Sequence, residues 1–233
     1  AQHLHSFAAD VPLLVDDGLA EQHYALFHWL SGGRKIIKLG FRQGAQVARL
    51  WRASAPDFWP ILRQPGTVLK LKDTAVNPAI QAQLLANVPP VPADETQPKR
   101  LFIRRSGHAR LADQDGMAEL LAKAGFAAIT PETLSLKQQL ILFAGASHIA
   151  GAGGSQLLLP MMFGNPALKV LNFHNPDLEE TPAIVAVAEA RGQTVLVVPG
   201  EITAPNPDLP YNADFTITEP QLAAALASLG ANQ

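Results

Sequence analysis

Short apolar runs alternate with amphipathic segments along the second half of the chain. Five runs have the length and composition of buried strands, namely residues 101–104, 126–129, 148–150, 168–173 and 194–198. The segments between them repeat apolar residues at helical spacing. Strands that alternate with helices form parallel sheets with helices on both faces. The pattern therefore predicts an α/β fold with a doubly wound parallel sheet.

Capping residues mark where helices begin in this half. Asp113, Ser135 and Thr218 each precede an amphipathic segment. Gln138 stands three residues after Ser135, which is the spacing of a capping box. Helices are predicted over residues 114–124, 136–143, 156–163, 179–190 and 219–229. Four prolines within residues 199–210 predict a loop there.

The first half of the chain has a less regular pattern. It predicts a strand at 11–15, a helix at 19–30, a strand at 35–39 and a helix at 77–87, with two further strands at 46–51 and 67–71. A proline-rich polar stretch, VPPVPADETQP, follows at residues 88–98 and is typical of a linker. We therefore expect two domains, residues 1–95 and residues 96–233.

Composition narrows the range of functions. Of the 233 residues, 48% are hydrophobic and 16% are charged, and the formal net charge is -2, which argues against a nucleic-acid or membrane-surface role. Without cysteine, disulfides and thiolate metal sites are excluded. No segment at the start of the sequence has the pattern of a secretion signal, so we expect none, and the apolar runs are too short to cross a bilayer. We expect a cytoplasmic protein with no integral membrane segment and, since the chain begins with Ala1, part of a longer chain.

The segment SHIAGAGGSQLLLPMMF, residues 147–163, carries the strongest local signal. A short apolar run enters the glycines Gly151, Gly153 and Gly154 and continues into a second apolar stretch, the pattern of a strand, a tight turn and a helix. The first turn of a helix has unpaired N–H donors and suits a phosphate. Many glycine turns of this kind serve only to reverse the chain, so the turn alone leaves both interpretations open.

A basic segment, KRLFIRRSGHAR, occupies residues 99–110 and contains five of the 18 Lys and Arg residues. No acidic residue lies between Thr96 and Ala112. Arginine side chains such as Arg105 and Arg110 suit phosphate oxygens, although a solvated loop is the simpler interpretation for any single arginine. Because this segment and the glycine turn both follow strands of one parallel sheet, they together predict an anion site.

The stretch from residue 100 to 163 resembles the signature region of glycosyltransferase family 61. Arg105 falls on the arginine of the family's Ser-Arg pair and Arg110 on its second arginine. Glu132 falls on the glutamate of its Pro-Glu pair, and Gln139 on the glutamine of the next helix. Gly151 and Gly154 fall on its glycine turn. The resemblance is looser over residues 11–50, which are similar to the family's first Rossmann-like half.

The resemblance implies a two-lobed GT-B fold. Its first Rossmann-like lobe is small or incomplete and serves the acceptor, and its second lobe is the doubly wound sheet that binds a nucleotide sugar. The implied activity is inverting transfer of a sugar to a hydroxyl of a polysaccharide or other glycan, without metal or cofactor. The donor-binding residues that the resemblance implies are Arg105, Arg110, Glu132, Gln139, Gly151 and Gly154. The N–H groups of Gly153, Gly154 and Ser155 are further candidates because they begin a helix, and His174 is one because it follows a strand of the sheet. Asp17 and His23 are candidates for the general base by position only.

The chain also departs from the family pattern. Gly153 stands where the family usually has His, Ser155 where it has Ala, and Leu159 where it has Asn. Asp113-Gln114 replaces an Asn-Glu pair. These departures keep two alternatives open, a catalytically inactive member that binds a glycan or a partner, and a different enzyme on the same architecture. His148, inside an apolar run, is interpreted as a core histidine.

Overall fold

The computed structural model describes residues 7–51, 77–92, 94–106, 110–176, 182–205 and 213–230. These residues form two compact units. One comprises residues 7–51 and 77–90, and the other comprises the described residues from 91 onward. The strand predicted at residues 67–71 lies outside the described residues, and the boundary predicted between residues 95 and 96 stays a prediction.

The N-terminal unit contains a β-α-β element. Its elements are β1 (Leu13–Asp16), α1 (Glu21–Leu30), β2 (Ile36–Leu39) and α2 (Pro78–Ala86), with β1 and β2 paired in parallel. All four were predicted from the sequence. The buried Arg34 guanidinium donates to the carbonyl oxygens of Phe7, Ala8 and Val11 at 2.9, 2.6 and 3.0 Å. Arg34 thereby fixes the segment that leads into β1.

The strand predicted at residues 46–51 is wrong, since this segment has no regular secondary structure. Its alternating apolar side chains are not covered, because Val47, Leu50 and Trp51 are 42%, 71% and 50% exposed. A strand needs a neighbouring strand and a buried face, and weak alternation alone provides neither.

The C-terminal unit is built on a parallel sheet, which confirms the predicted α/β class. Within its described residues the sheet has five strands, β3 (Arg100–Ile103), β4 (Ala127–Ile129), β5 (His148–Ala152), β6 (Lys169–His174) and β7 (Thr194–Pro199). Their spatial order is β4-β3-β5-β6-β7. Counted within this unit the order is 2-1-3-4-5, a common order of doubly wound sheets, and its direction reverses between β3 and β5.

Helices cover both faces of this sheet. They are α3 (Gln114–Lys123), α4 (Leu136–Gly145), α5 (Ser155–Phe163), α6 (Pro182–Arg191) and α7 (Glu219–Ser228). Phe102 points to the core formed with α3 and α7, whereas its neighbours Leu101 and Ile103 point to the core formed with α4, α5 and α6. Because both faces of each strand are buried in a core, both sets of alternating side chains are apolar, and the strands appear in the sequence as continuous apolar runs.

The predicted helix caps are confirmed. Asp113 Oδ1 accepts from the Gly116 amide at 2.8 Å. Ser135 with Gln138, and Thr218 with Gln221, form capping boxes at the starts of α4 and α7. These interactions lie within a few residues of sequence, which is why they could be predicted.

The loop predicted over residues 199–210 is wrong in part, because it contains β8 (Glu201–Ala204). This strand forms an antiparallel pair with β9 (Asp214–Thr216). The prolines around β8 favoured the prediction of a loop. For β9 the sequence did contain a strand signal, because Ala213, Phe215 and Ile217 are apolar at every second position, and all three are buried.

Candidate functional site

A cleft opens at the carboxyl ends of β3 and β5, where the strand order reverses. Including its open mouth it has a volume of about 480 Å³. Ile103 ends β3 and Ala152 ends β5, and both line the cleft. The other lining residues are Arg105, Arg110, Leu111 and Gln114, which follow β3, and Gly153, Gly154 and Gln156, which follow β5. Open parallel sheets bind their ligands at this kind of switch point.

Two adjacent arginines after β3 have different surroundings. Arg104 Nη2 donates to Asp115 Oδ1 at 2.6 Å, so its charge is paired with the first turn of α3. The exposed side chain of Arg105 has no ion pair with any described residue, and Arg105 lines the cleft. The carboxamide of Gln114 bonds both main-chain groups of Arg105. Of the two arginines, Arg105 is therefore the one placed to bind an anion.

The backbone at Arg110 is held in place by β9, and not by a glutamine side chain as at Arg105. Its carbonyl oxygen accepts from the Phe215 amide at 2.8 Å, and the Phe215 carbonyl oxygen accepts from the Ala112 amide at 2.9 Å. These bonds hold the loop after β3 against β9. Arg105 and Arg110, which the sequence predicted as partners in one anion site, thus line the same cleft.

The glycine turn contributes the wall of the cleft that follows β5. The Gly153 amide donates to the Phe173 carbonyl oxygen at 2.8 Å, so this N–H group already has a partner in β6. Gly154 is the N-cap of α5, with φ of +139° and ψ of −169°. Ser155 then begins α5. The Leu157 amide donates to the Gly154 carbonyl oxygen at 3.1 Å, so the first-turn amides that the helix leaves without an acceptor are those of Ser155 and Gln156. The donors that this wall offers to a ligand therefore start after Gly153.

Gly151, Gln139 and Glu132 were predicted to bind the donor and lie outside the lining of the cleft, as does His174, which is described below. Gly151 is buried in β5, where a Cβ would approach Leu157 Cδ2 to 3.1 Å and Ile103 Cβ to 3.3 Å. Gln139 is buried, and its Nε2 donates to the Pro131 and Leu134 carbonyl oxygens.

Because of these contacts, Gly151 allows β5 to pack closely against α5, and Gln139 fixes the turn before α4. Glu132 is exposed on the short 3-10 helix Pro131–Thr133. Donor contacts by these three residues stay predictions.

Two histidines lie at opposite ends of the parallel strands, His148 at the amino end of β5 and His174 at the carboxyl end of β6. His174 ends β6 at the carboxyl edge and is 5% exposed, and burial lowers its pKa. His148 begins β5 at the other edge, with Nδ1 3.0 Å from Ser147 Oγ. Burial, assisted by the charges of Arg100 and Lys169, lowers the pKa of His148. His148 is a core histidine, as predicted, and neither histidine lines the cleft.

The predicted general-base candidates belong to the N-terminal unit. Asp17 follows β1, is exposed, and has Oδ1 4.0 Å from Lys38 Nζ. His23 is exposed on α1. Their assignment as general base stays a prediction.

Two glutamines of the cleft, Gln114 and Gln156, were not among the predicted ligand residues. Gln114 opens α3, and Gln156 lies in the first turn of α5. Both occupy the first turn of a helix that follows a strand of the predicted sheet. Helix first turns at the carboxyl edge are where ligand contacts of such sheets concentrate, and this signal was available in the sequence.

The electrostatic character of the cleft follows from these residues. Its described lining has two arginines, two carboxamides, main-chain groups and apolar residues, and contains no acidic side chain. Among the described residues no three His, Asp or Glu side chains are grouped to hold a metal ion. Arginines and the first turn of a helix both favour oxyanions. The arrangement can therefore bind a phosphate or diphosphate.

A doubly wound parallel sheet with a cleft at its switch point is an architecture that many nucleotide-binding α/β domains share. The family model for glycosyltransferase 61 matches residues 41–171, more than half of the chain. The protein belongs to glycosyltransferase family 61, as its sequence motifs indicated. Membership indicates transfer of a sugar from a donor to a glycan acceptor. A comparison with curated proteins finds no significant match.

No helix among the described residues is both long enough and apolar enough to cross a membrane.

Proposed function

We propose that this protein is an inverting, metal-independent glycosyltransferase that moves a sugar from a nucleotide sugar to a hydroxyl of a polysaccharide or other glycan. The cleft at the carboxyl ends of β3 and β5 binds the diphosphate of the donor. The observation that carries this proposal is the convergence of Arg105, Arg110 and the first turn of α5 on one cleft. Membership of the glycosyltransferase family supports the transfer of a sugar.

The chemistry of the reaction matches the charges of the cleft. When the acceptor oxygen attacks the anomeric carbon, the bond from that carbon to the phosphate oxygen breaks and negative charge develops on the nucleoside diphosphate. Arg105, Arg110 and the α5 dipole stabilise this charge without a metal ion. A general base takes the proton of the acceptor hydroxyl, and Asp17 and His23 remain its candidates. The attack from the opposite side of the ring inverts the anomeric configuration.

The proposal includes a GT-B organisation. In it the C-terminal lobe binds the nucleotide sugar and the N-terminal lobe serves the acceptor. The β-α-β element of the N-terminal unit, β1 with α1 and β2, supports a Rossmann-like origin for that lobe. The cytoplasmic location and the roles of Glu132, Gln139 and His174 in donor binding remain predictions.

The experiment that tests the proposal compares two adjacent arginines. We expect Arg105→Ala to weaken binding of a nucleoside diphosphate at least tenfold, about 1.4 kcal/mol, in calorimetric titrations with a panel of nucleoside diphosphates. Arg104→Ala is the matched control, since it removes the same charge from a side chain that is paired with Asp115. Equal affinities of the folded Arg105→Ala variant and the wild type would refute the anion-site assignment.

A second candidate function is a catalytically inactive member that binds a glycan or a partner protein. It is favoured by Gly153, which stands where the family resemblance implies a histidine. Slow hydrolysis of a nucleotide sugar without acceptor distinguishes the two. Release of nucleoside diphosphate supports the transferase, whereas glycan binding without any nucleotide binding supports the inactive module.

A further inference from the structure

We propose that Gln114 and Gln156 are positioning residues of the cleft, each holding one half of the anion site in place. The inference rests on the proposed function, because it concerns the same diphosphate site. Both side chains line the cleft, Gln114 from the start of α3 and Gln156 from the first turn of α5. Each has its carboxamide bonded to the main chain of the segment that presents anion-binding groups.

Gln114 holds the segment that carries Arg105. Strand β3 ends at Ile103, and the Arg104 amide still donates to the Ile129 carbonyl oxygen of β4 at 2.8 Å. At the next residue the Arg105 amide donates to Gln114 Oε1 at 2.9 Å, and Gln114 Nε2 donates to the Arg105 carbonyl oxygen at 3.2 Å. The carboxamide thus replaces a neighbouring strand for one residue and fixes the backbone from which the Arg105 side chain extends.

Gln156 holds the glycine turn. Its Nε2 donates to the Ala152 carbonyl oxygen at 2.5 Å, which joins the first turn of α5 to the end of β5 across Gly153 and Gly154. This bond fixes the orientation of the carboxamide, because a flipped amide would place two acceptor oxygens in contact. The bond therefore restrains the turn that presents the first-turn amides of α5 to the cleft.

The other end of the Gln156 carboxamide is an acceptor that the turn itself does not use. Gln156 Oε1 is buried and has no hydrogen-bond partner among the described residues. A buried acceptor without a partner lowers stability and needs an explanation, and a role in positioning the glycine turn supplies one. Glutamate at position 156 would lose the donated bond and would bring negative charge into a cleft whose described lining has none.

The test uses Gln114→Met and Gln156→Met, which keep the side-chain volume and remove the hydrogen bonds. Gln221→Met is the matched control. Gln221 accepts from the Thr218 amide at 2.8 Å and donates to the Pro199 carbonyl oxygen at 3.2 Å, and it does not line the cleft. UDP and GDP are the probes, titrated by calorimetry, with melting temperatures recorded for each variant. We expect each cleft variant to bind at least fivefold more weakly and the control to bind as the wild type does.

A double-mutant cycle separates positioning from a general loss of structure. If Gln114 acts through Arg105, Gln114→Met causes no further loss of affinity in an Arg105→Ala background. The same fivefold loss in both backgrounds would overturn its positioning role. For Gln156, spectra of glycine-labelled protein report the turn directly, and we expect UDP to shift the Gly154 amide resonance less in Gln156→Met than in the wild type. An undiminished shift would overturn that assignment.

The outcomes also separate this inference from the proposed function. Suppose that the wild type binds a nucleoside diphosphate, that Arg105→Ala weakens this binding, and that both glutamine variants bind as the wild type does. This result overturns the positioning roles and leaves the diphosphate site intact. Failure of the wild type to bind any nucleoside diphosphate overturns the proposed function, and the positioning roles fail with it.

Discussion

The backbone of Gly154 allows a sharp test of the glycine turn. Its φ of +139° and ψ of −169° lie in a region that is essentially restricted to glycine. A Cβ at this position would have no heavy atom within 4 Å, so contacts with neighbours add nothing to the cost of Gly154→Ala. The cost is conformational and on the order of 1–3 kcal/mol. The variant either keeps the turn and loses this stability, or relaxes the turn and loses ligand affinity.

Two measurements on one sample distinguish these results. Denaturant unfolding gives the loss in unfolding free energy, and calorimetry with a nucleoside diphosphate gives the loss in binding free energy. We expect the two losses together to reach at least about 1 kcal/mol. Gly44→Ala is the control, since Gly44 has no positive φ and no atom within 4 Å of a Cβ. If both quantities stay within about 0.5 kcal/mol of the wild type, the backbone argument is refuted.

Three further predictions concern stability. Gly151→Ala overpacks β5 against α5 and is expected to lower the unfolding free energy by about 1–3 kcal/mol in urea titrations, and an unchanged midpoint would contradict this. Arg34→Met removes the buried guanidinium and with it the donors of three main-chain carbonyl oxygens. It is expected to lower the unfolding free energy of the N-terminal unit by about 3 kcal/mol or more, measured by tryptophan fluorescence in a denaturant titration. Burial and the charges of Arg100 and Lys169 lower the pKa of His148 in the folded protein. As the pH drops below about 6.5, the imidazole is protonated in the unfolded chain before it is protonated in the folded one, so the unfolding free energy falls. His148→Asn is expected to show a shallower decline between pH 8 and 5.5 than the wild type, and an equal slope would contradict the assignment.

The convergence of Arg105 and Gly154 could be predicted because it needs only two inferences. Each residue follows an apolar run, and the runs belong to a parallel sheet, whose strands all end at one edge. The helix caps could be predicted for a similar reason, since a cap and its partner lie within one turn of sequence.

Features that depend on long-range pairing could not be predicted. The Gly153 amide has a partner only because β5 and β6 pair in one particular register. Gly151 lacks a side chain because Leu157 and Ile103 pack over it, a contact between three separate elements. Gln139 lies on the inward side of its helix and bonds main-chain carbonyl groups, which no local motif distinguishes from a ligand contact.

The support of the Arg110 loop by β9 has a consequence for the order of events during synthesis. The residues of β3 and β5 leave the ribosome long before Phe215, whose main chain holds the loop on both sides of Leu111. Chains grow from the N-terminus, and their domains fold as they emerge. A nascent polypeptide can therefore complete its central strands while Arg110 still lacks its anchor. If the cleft binds a diphosphate as proposed, the site with both arginines is complete only after β9 has paired with Arg110 and Ala112.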